Sequence, residues 1–245
     1  MRSIIIIIFL VATMFAAPAV AQQACPTLVV TNTDDTAEGD ASSPCALIAN
    51  PGPNGISLRA ALFAANNATG SGTITITFAQ ALAGQTISTT GGLGNPNIYR
   101  NGISIIGLVD GNGQPTVTID GSAMGTTGIL LPVIASNFTL QSLRFTGIEQ
   151  SAGGPAFGVL IAAGALFDTP GNAVVSGINI SGNVFVNDPS LATSGNFISL
   201  SMQTGSSGAL LSNVTITGNS FSNFRETPMP SSSRLPEQIM SFKMS

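Results

Sequence analysis

Between residues 100 and 188 only seven side chains could carry acid–base or electrostatic chemistry: Asp110, Asp120, Glu149, Asp168 and Asp188, with Arg100 and Arg144. Two carboxyl groups facing one bond would suit glycoside hydrolysis, one as acid and the other as base or nucleophile. A basic residue beside a cation would suit β-elimination on a uronate. The spacing favours neither, because no two carboxylates share a short segment. Asp110 and Asp120 each precede a glycine in a turn, where Asp commonly bonds nearby backbone. Arg144 lies between Leu143 and Phe145 in an alternating run and should point outward from a strand. It is the best single candidate, and Asp110, Asp120 and Arg144 together are the catalytic candidates. The chain contains no His, which rules out Ser-His triads and zinc sites built on His.

Nearer the N-terminus, Asp34, Asp35, Glu38 and Asp40 place four carboxylates within a few residues. Such hard oxygen ligands are what Ca²⁺ prefers, although the spacing is not that of an EF-hand loop. A solvated acidic loop is the plainer expectation. The only cysteines are Cys25 and Cys45. In an oxidising compartment an even pair bridges, and closing a loop of this length is worth about 3 kcal/mol.

The elements that would position these residues announce themselves by repetition. A phrase of the form apolar-polar-apolar-polar-Gly occurs at Leu143–Gly147, Ile178–Gly182 and Val214–Gly218, with an earlier, weaker copy at Ile103–Gly107 in which Ile106 takes the second polar place; the copies start 35 to 40 residues apart. Each is a short period-two strand ending in a turn. Recurrence at a near-constant interval indicates stacked coils. Ile103, Leu143, Ile178 and Val214 should then form one inward row, and Ile105, Phe145, Ile180 and Ile216 a second. Gly182-Asn183 and Gly218-Asn219 should turn successive coils with the asparagines laddered. Phe185 and Phe221 should stack on the next side. Further strands are expected at 28–31, 73–78, 86–89, 116–119, 129–134, 138–145, 158–162, 174–180 and 197–202. This density of strands, with no helices between them, excludes an alternating α/β sheet.

Only one helix is expected, over 57–66, with Ser57 as its N-cap and Leu58, Ala61, Leu62 and Ala65 as one apolar stripe. A solenoid exposes an apolar cross-section at its first coil, and a short amphipathic helix would cover it. The fold class expected from these residues is all-β, a parallel β-helix (solenoid) with a short N-terminal capping helix. The expected divisions are a leader at 1–21, the cap at 22–72, the β-helix at 73–224, and a tail at 225–245 that is either a C-terminal cap or the stub of a longer chain.

Residues 1–21 read as a secretory leader. Arg2 is followed by an apolar run from Ile4 to Phe15, Pro18 and then Ala19-Val20-Ala21 before Gln22. The apolar run is short for a span of about 20 residues, and no second one follows. The expectation is a secreted or cell-surface protein without a membrane span after cleavage. Charged residues make up 7% of the chain and the formal net charge is −4, a balance that argues against nucleic-acid partners. Abundant Gly, Thr, Ser and Asn suit a β protein with many tight turns rather than a disordered one.

Leu28-Val29-Val30-Thr31-Asn32-Thr33-Asp34-Asp35, then Ser57-Leu58-Arg59-Ala60-Ala61-Leu62 with Ala65-Asn66, then Thr73–Phe78 and Leu82–Ile87, resemble the N-terminal region of a known family. It comprises exported right-handed parallel β-helix proteins, pectin-lyase-like in fold, that carry a Cys-Ser-Leu-Arg-Glu-Ala type segment. The resemblance covers about residues 28–121 and implies architecture rather than activity. Two positions depart from it. Ile56 stands where the family has Cys, so Cys45 is placed to take over the bridging role. Ala60 stands where the family has Glu, which removes one half of a capping box.

Function follows from the scarcity of titratable groups. An exported, non-catalytic surface protein is expected, adhesin-like or binding glycans or a cell surface through outward Thr, Ser, Asn and Gln. The alternative is a carbohydrate-active enzyme, a polysaccharide lyase or glycoside hydrolase, since parallel β-helices host both and fold alone does not decide. Ice binding is a third reading, from Thr-x-Thr at 73–75, 75–77, 116–118 and 215–217, but Thr is also simply a good strand former. No cofactor is expected apart from the Ca²⁺ candidate. The triplets beginning at Asn67, Asn137, Asn179 and Asn213 would matter only in a glycosylating host.

Overall fold

The computed structural model describes residues 25–90, 97–124, 128–148, 156–163, 174–187, 196–202 and 209–223. The expected leader (1–21), Glu149, Asp168, Asp188 and the tail (225–245) lie outside the described residues. In chain order the elements are β1 (Thr27–Val30), α1 (Pro44–Ala49), α2 (Leu58–Asn66), β2 (Ile74–Phe78), β3 (Thr86–Ser88), β4 (Ile103–Ile106), β5 (Thr118–Asp120), β6 (Gly128–Val133) and β7 (Thr139–Gln141). They continue with β8 (Arg144–Thr146), β9 (Ala156–Ala163), β10 (Val174–Ser181), β11 (Val184–Val186), β12 (Asn196–Met202), β13 (Leu210–Thr217) and β14 (Ser220–Ser222).

The molecule is mostly β, built as three parallel sheets with few helices. The first sheet runs β1-β2-β4-β7-β10-β13, the second β3-β5-β8-β11-β14 and the third β6-β9-β12. Within each sheet spatial order follows chain order. From β4 onward the chain visits the first, second and third sheets in strict rotation. The preceding circuit touches the third sheet at a single residue, through a parallel bridge from Ile98 to Val133.

Period-two alternation puts one side of each strand inward, and the parallel register lines those residues up. In the first sheet the inward column is Leu28, Ile76, Ile105, Leu140, Ile180 and Ile216. In the second it is Ile87, Ile119, Phe145, Phe185 and Phe221. Phe145 and Phe185 stack with centroids 5.0 Å apart, as do Phe185 and Phe221. Apart from Phe221, which is exposed, both columns pack into one core with inward residues of the third sheet such as Leu131, Val133, Val159 and Ile161.

The run 138–145 is not a single strand. It breaks at Ser142, whose φ of 58° turns the chain from the first sheet into the second. Phe145 therefore stands in the second sheet, above Ile119 and below Phe185, not in the row of Ile105, Ile180 and Ile216. Leu140 takes that place, and Phe138, next to the Thr139–Asn179 pair, takes the place expected of Leu143. The cause is physical: both sheets use the same alternating apolar code, so a phrase from one matches a phrase from the other.

The Gly-Asn corners behave as expected. Asn183 is fully buried; its Oδ1 accepts from the Leu143 N–H at 3.0 Å and its Nδ2 donates to the Leu140 carbonyl at 3.0 Å. One circuit on, Asn219 Oδ1 accepts from the Asn183 N–H at 2.9 Å and from its side-chain amide at 3.0 Å. Each asparagine satisfies backbone groups of the circuit before it, which removes the cost of burying them. A second ladder was not anticipated: Asn187 brackets Ile148 through its N–H and carbonyl, and Asn223 Nδ2 donates to the Asn187 carbonyl.

At the β1 end, α2 forms as expected. Ser57 Oγ accepts from the Ala60 N–H at 3.0 Å, and the helix packs against α1, β1 and β2. The apolar stripe is wider than four residues, because Ala60 and Ala64 are also fully buried. The short helix α1 was not foreseen. Ser43 caps it, Pro44 opens it and Cys45 sits in its first turn. Cys45 is bonded to Cys25, so the disulfide ties the approach to β1 onto α1.

Candidate functional site

Among the described residues the longest register-aligned column of polar side chains is on the outward face of the first sheet. Register places Thr27, Thr75, Ser104, Thr139, Asn179 and Thr215 in one column, one residue per strand. A neighbouring column carries Gln141, Ser181 and Thr217. Thr27, Thr215 and Thr217 are exposed, and the others from Thr75 to Asn179 are half-buried or exposed. None of the residues in the six strands is charged. Adjacent strands are about 4.8 Å apart, so the column presents hydroxyl and amide groups at that repeat.

The catalytic candidates lie elsewhere. On the second sheet Arg144 is in register with Thr118 of β5, and Asp120 with Thr146 of β8. Asp120 and Arg144 thus occupy diagonal positions on neighbouring strands, within reach for a long side chain. Arg144 is exposed; its backbone N–H donates to the Val117 carbonyl at 3.0 Å, and its guanidinium makes no hydrogen bond among the described residues. The Asp120 carboxylate is already engaged: Oδ1 accepts from the Ser122 N–H at 2.9 Å and Oδ2 from the Ser122 hydroxyl at 3.0 Å.

Asp110 sits apart, in a turn between β4 and β5 closed by an antiparallel bridge from Val109 to Pro115. Its Oδ1 accepts from the N–H groups of Gln114 at 2.8 Å and Asn112 at 2.9 Å. These bonds, Gln114 foremost, hold its carboxyl below the ordinary value. A carboxylate so stabilised is a poor proton donor near neutrality.

The four N-terminal carboxylates have separate employments. Asp35 forms a two-bond fork with Arg59, Nε to Oδ1 at 2.9 Å and Nη2 to Oδ2 at 2.8 Å. Its Oδ2 also accepts from the Thr90 N–H at 2.6 Å and the Thr90 hydroxyl at 3.0 Å. Asp34 Oδ2 accepts from Asn54 at 3.1 Å. Asp40 bonds Ser42, whose hydroxyl and N–H lower its pKa. Glu38 is exposed. Among the described residues no three acidic or cysteine side chains converge on a point that could hold a metal ion.

A cavity of about 260 Å³ opens beside the disulfide, lined by Cys25, Cys45, Pro26, Ile74 and Arg100 among others. Arg100 is not offered to a ligand there. Its guanidinium donates to the carbonyls of Ala68, Gly70, Gly72, Asn101 and Gly102 at 2.6–3.3 Å, which uses all five N–H donors. Burial pushes its pKa below the ordinary value.

The Arg59–Asp35 fork and the Arg100 clamp escaped the sequence reading. The only signal for the first was Arg59 in the Ser-Leu-Arg segment, and its partner is 24 residues away. Comparison of the chain with protein-family models, with curated proteins and with solved structures finds no match to any of the three.

Proposed function

We propose that this chain is an exported right-handed parallel β-helix protein of the pectin-lyase-like kind, acting at a surface by binding rather than by catalysis. The outward face of the first sheet is its contact area, and glycans or a cell surface are its partners. What supports the architecture is the rotation of the chain through three parallel sheets, with columns of like residues and asparagine ladders at the corners. The single observation that carries the function is the six-strand column from Thr27 to Thr215, without a charged residue on any of its strands. An uncharged array of donors and acceptors favours neutral, hydroxyl-rich partners, since anionic ones gain most from cations.

A carbohydrate-active enzyme is the second reading, favoured by one observation: exposed Arg144 lies diagonally across from Asp120. Against it, Asp110 and Asp120 are both committed to local hydrogen bonds. One experiment separates the two. The mature protein is tested on neutral and acidic glycan arrays and on intact cells, while release of reducing or unsaturated sugars is followed. Binding without turnover, weakened about tenfold by Thr139→Lys with Asn179→Lys, is the expected result. Turnover that disappears in Asp120→Asn or Arg144→Ala would replace the binding reading with the enzymatic one.

A further inference from the structure

We propose that Asn112 is a site of covalent modification, at which the side-chain amide is lost to attack by the Gly113 nitrogen and the turn between β4 and β5 gains a carboxylate. The chain contains three Asn-Gly pairs, Asn54-Gly55, Asn101-Gly102 and Asn112-Gly113. Each has the chemistry for this step, because a following glycine sets no side chain beside its own nitrogen. At the third pair the Gly113 nitrogen bonds to Asn112 Cγ and the Cγ–Nδ2 bond breaks. Ammonia leaves with the proton that the nitrogen gives up. Water then opens the cyclic imide. Cleavage at Cγ gives aspartate, and cleavage at the backbone carbonyl gives isoaspartate, with the main chain routed through the side chain.

The fold separates the three pairs. All three asparagines are exposed, but Gly102 is buried and Gly55 half-buried, whereas Gly113 is exposed. Asn101 Oδ1 accepts from the Ser136 N–H at 2.8 Å, and the Gly102 N–H donates to the Ser136 carbonyl at 3.0 Å. Those bonds join successive circuits and must part before an imide can close. Asn54 Nδ2 donates to Asp34 Oδ2 at 3.1 Å, and the Asn54 carbonyl accepts from Asn32 Nδ2 at 3.0 Å, which fastens this pair to the loop after β1. Asn112 is held only from within its turn. Among the described residues the hydrogen bonds made by Asn112 and Gly113 all go to Asp110. The Asn112 N–H donates to its Oδ1 at 2.9 Å and the Gly113 N–H to its carbonyl at 3.0 Å. A Cβ built on Gly111 or Gly113 would meet no atom within 4 Å. The turn can therefore open without disturbing a sheet, and openings this local are the least costly in a fold. The product sets a second carboxylate two residues from Asp110, in the turn that leaves the uncharged strand β4.

The test incubates the full mature chain in mildly alkaline buffer enriched in heavy-oxygen water. Peptide mapping follows amide loss and label uptake at each pair, with aspartate and isoaspartate separated by chromatography. In the native chain Asn112 should lead Asn54 and Asn101 by about tenfold or more, a ratio that about 1.4 kcal/mol of difference in opening free energy supplies. In denaturant the three rates should converge, because the same dipeptide then reacts without the fold around it. An Asn112 that fails to lead in the native chain overturns the proposal. So does a lead that is undiminished in denaturant, since neighbouring sequence rather than the fold would then set it.

Discussion

Asp35 is the most heavily used carboxylate among the described residues. Its side chain is 7% exposed, that of Arg59 is 13%, and four donor atoms from Arg59 and Thr90 converge on its two oxygens. It joins the loop after β1 to the start of α2 and to the chain leaving β3. A charge this enclosed is costly once its partner is lost. Arg59→Leu should therefore destabilise by about 3 kcal/mol, and Arg59→Lys by less, because Lys cannot reproduce the fork. Denaturant unfolding of the two singles and of the double with Asp35→Asn checks this, and a coupling near zero would contradict it.

Ser142 gives a prediction of opposite sign. Its φ of 58° is one that L side chains adopt at a cost of about 1 kcal/mol, and the equivalent corners one and two circuits on are Gly182 and Gly218. Ser142→Gly should be stabilising or neutral, whereas Gly182→Ser should destabilise. Asp110 yields a pH prediction. Its folded pKa lies below the ordinary 3.8, so the stability it contributes is complete above that value and is lost as pH falls through the folded pKa. In a carbon-detected NMR titration Asp110 should titrate below its ordinary value, and its doing so at or above that value would refute the turn geometry.

At the scale of elements, the helical cap depends on a covalent tie. The disulfide closes a loop with a sequence separation of 20 and joins a six-residue helix, too short to persist alone, to the strand that opens the first sheet. Reduction should cost about 3 kcal/mol and should show first as faster hydrogen exchange at α1 and β1, ahead of β7 and β10. Uniform loss of protection would contradict a locally acting tie.

How much of these elements could be read from the sequence depended on the range of the forces that fix them. Helix α2 was legible because its cap and stripe are local. The Gly-Asn corners were legible because they repeat. Helix α1 was not, because six residues containing a proline and a cysteine show no helical period. The corner at Ser142 was hidden because a serine in a left-handed conformation looks like any other strand residue. The Asp35–Arg59 fork was invisible because only the completed fold brings its halves together.

At the scale of the whole molecule, a parallel stack converts a one-dimensional repeat into flat faces. One face carries hydroxyl and amide groups and another carries Arg144 beside Asp120, while the interior runs as columns of Ile, Leu and Phe. Legibility failed here in one respect, the phase. The period identified stacking, but the same phrase occurs in the first and second sheets, so the sequence alignment set Arg144 against Asn179 where the fold sets Thr139 against it and gives Arg144 to Val184.

That difference supplies the most direct measurement of the stacking register on which the proposed face rests. In-register parallel neighbours lie about 4.8 Å apart, within the Cα separation a disulfide spans. Oxidation of the double variant Thr139→Cys with Asn179→Cys should give an intramolecular bridge, detected by peptide mass mapping beside the native Cys25–Cys45 bond, while Arg144→Cys with Asn179→Cys should give none. A bridge in the second variant and not in the first would place the chain in the other register and dismantle the polar column from Thr27 to Thr215.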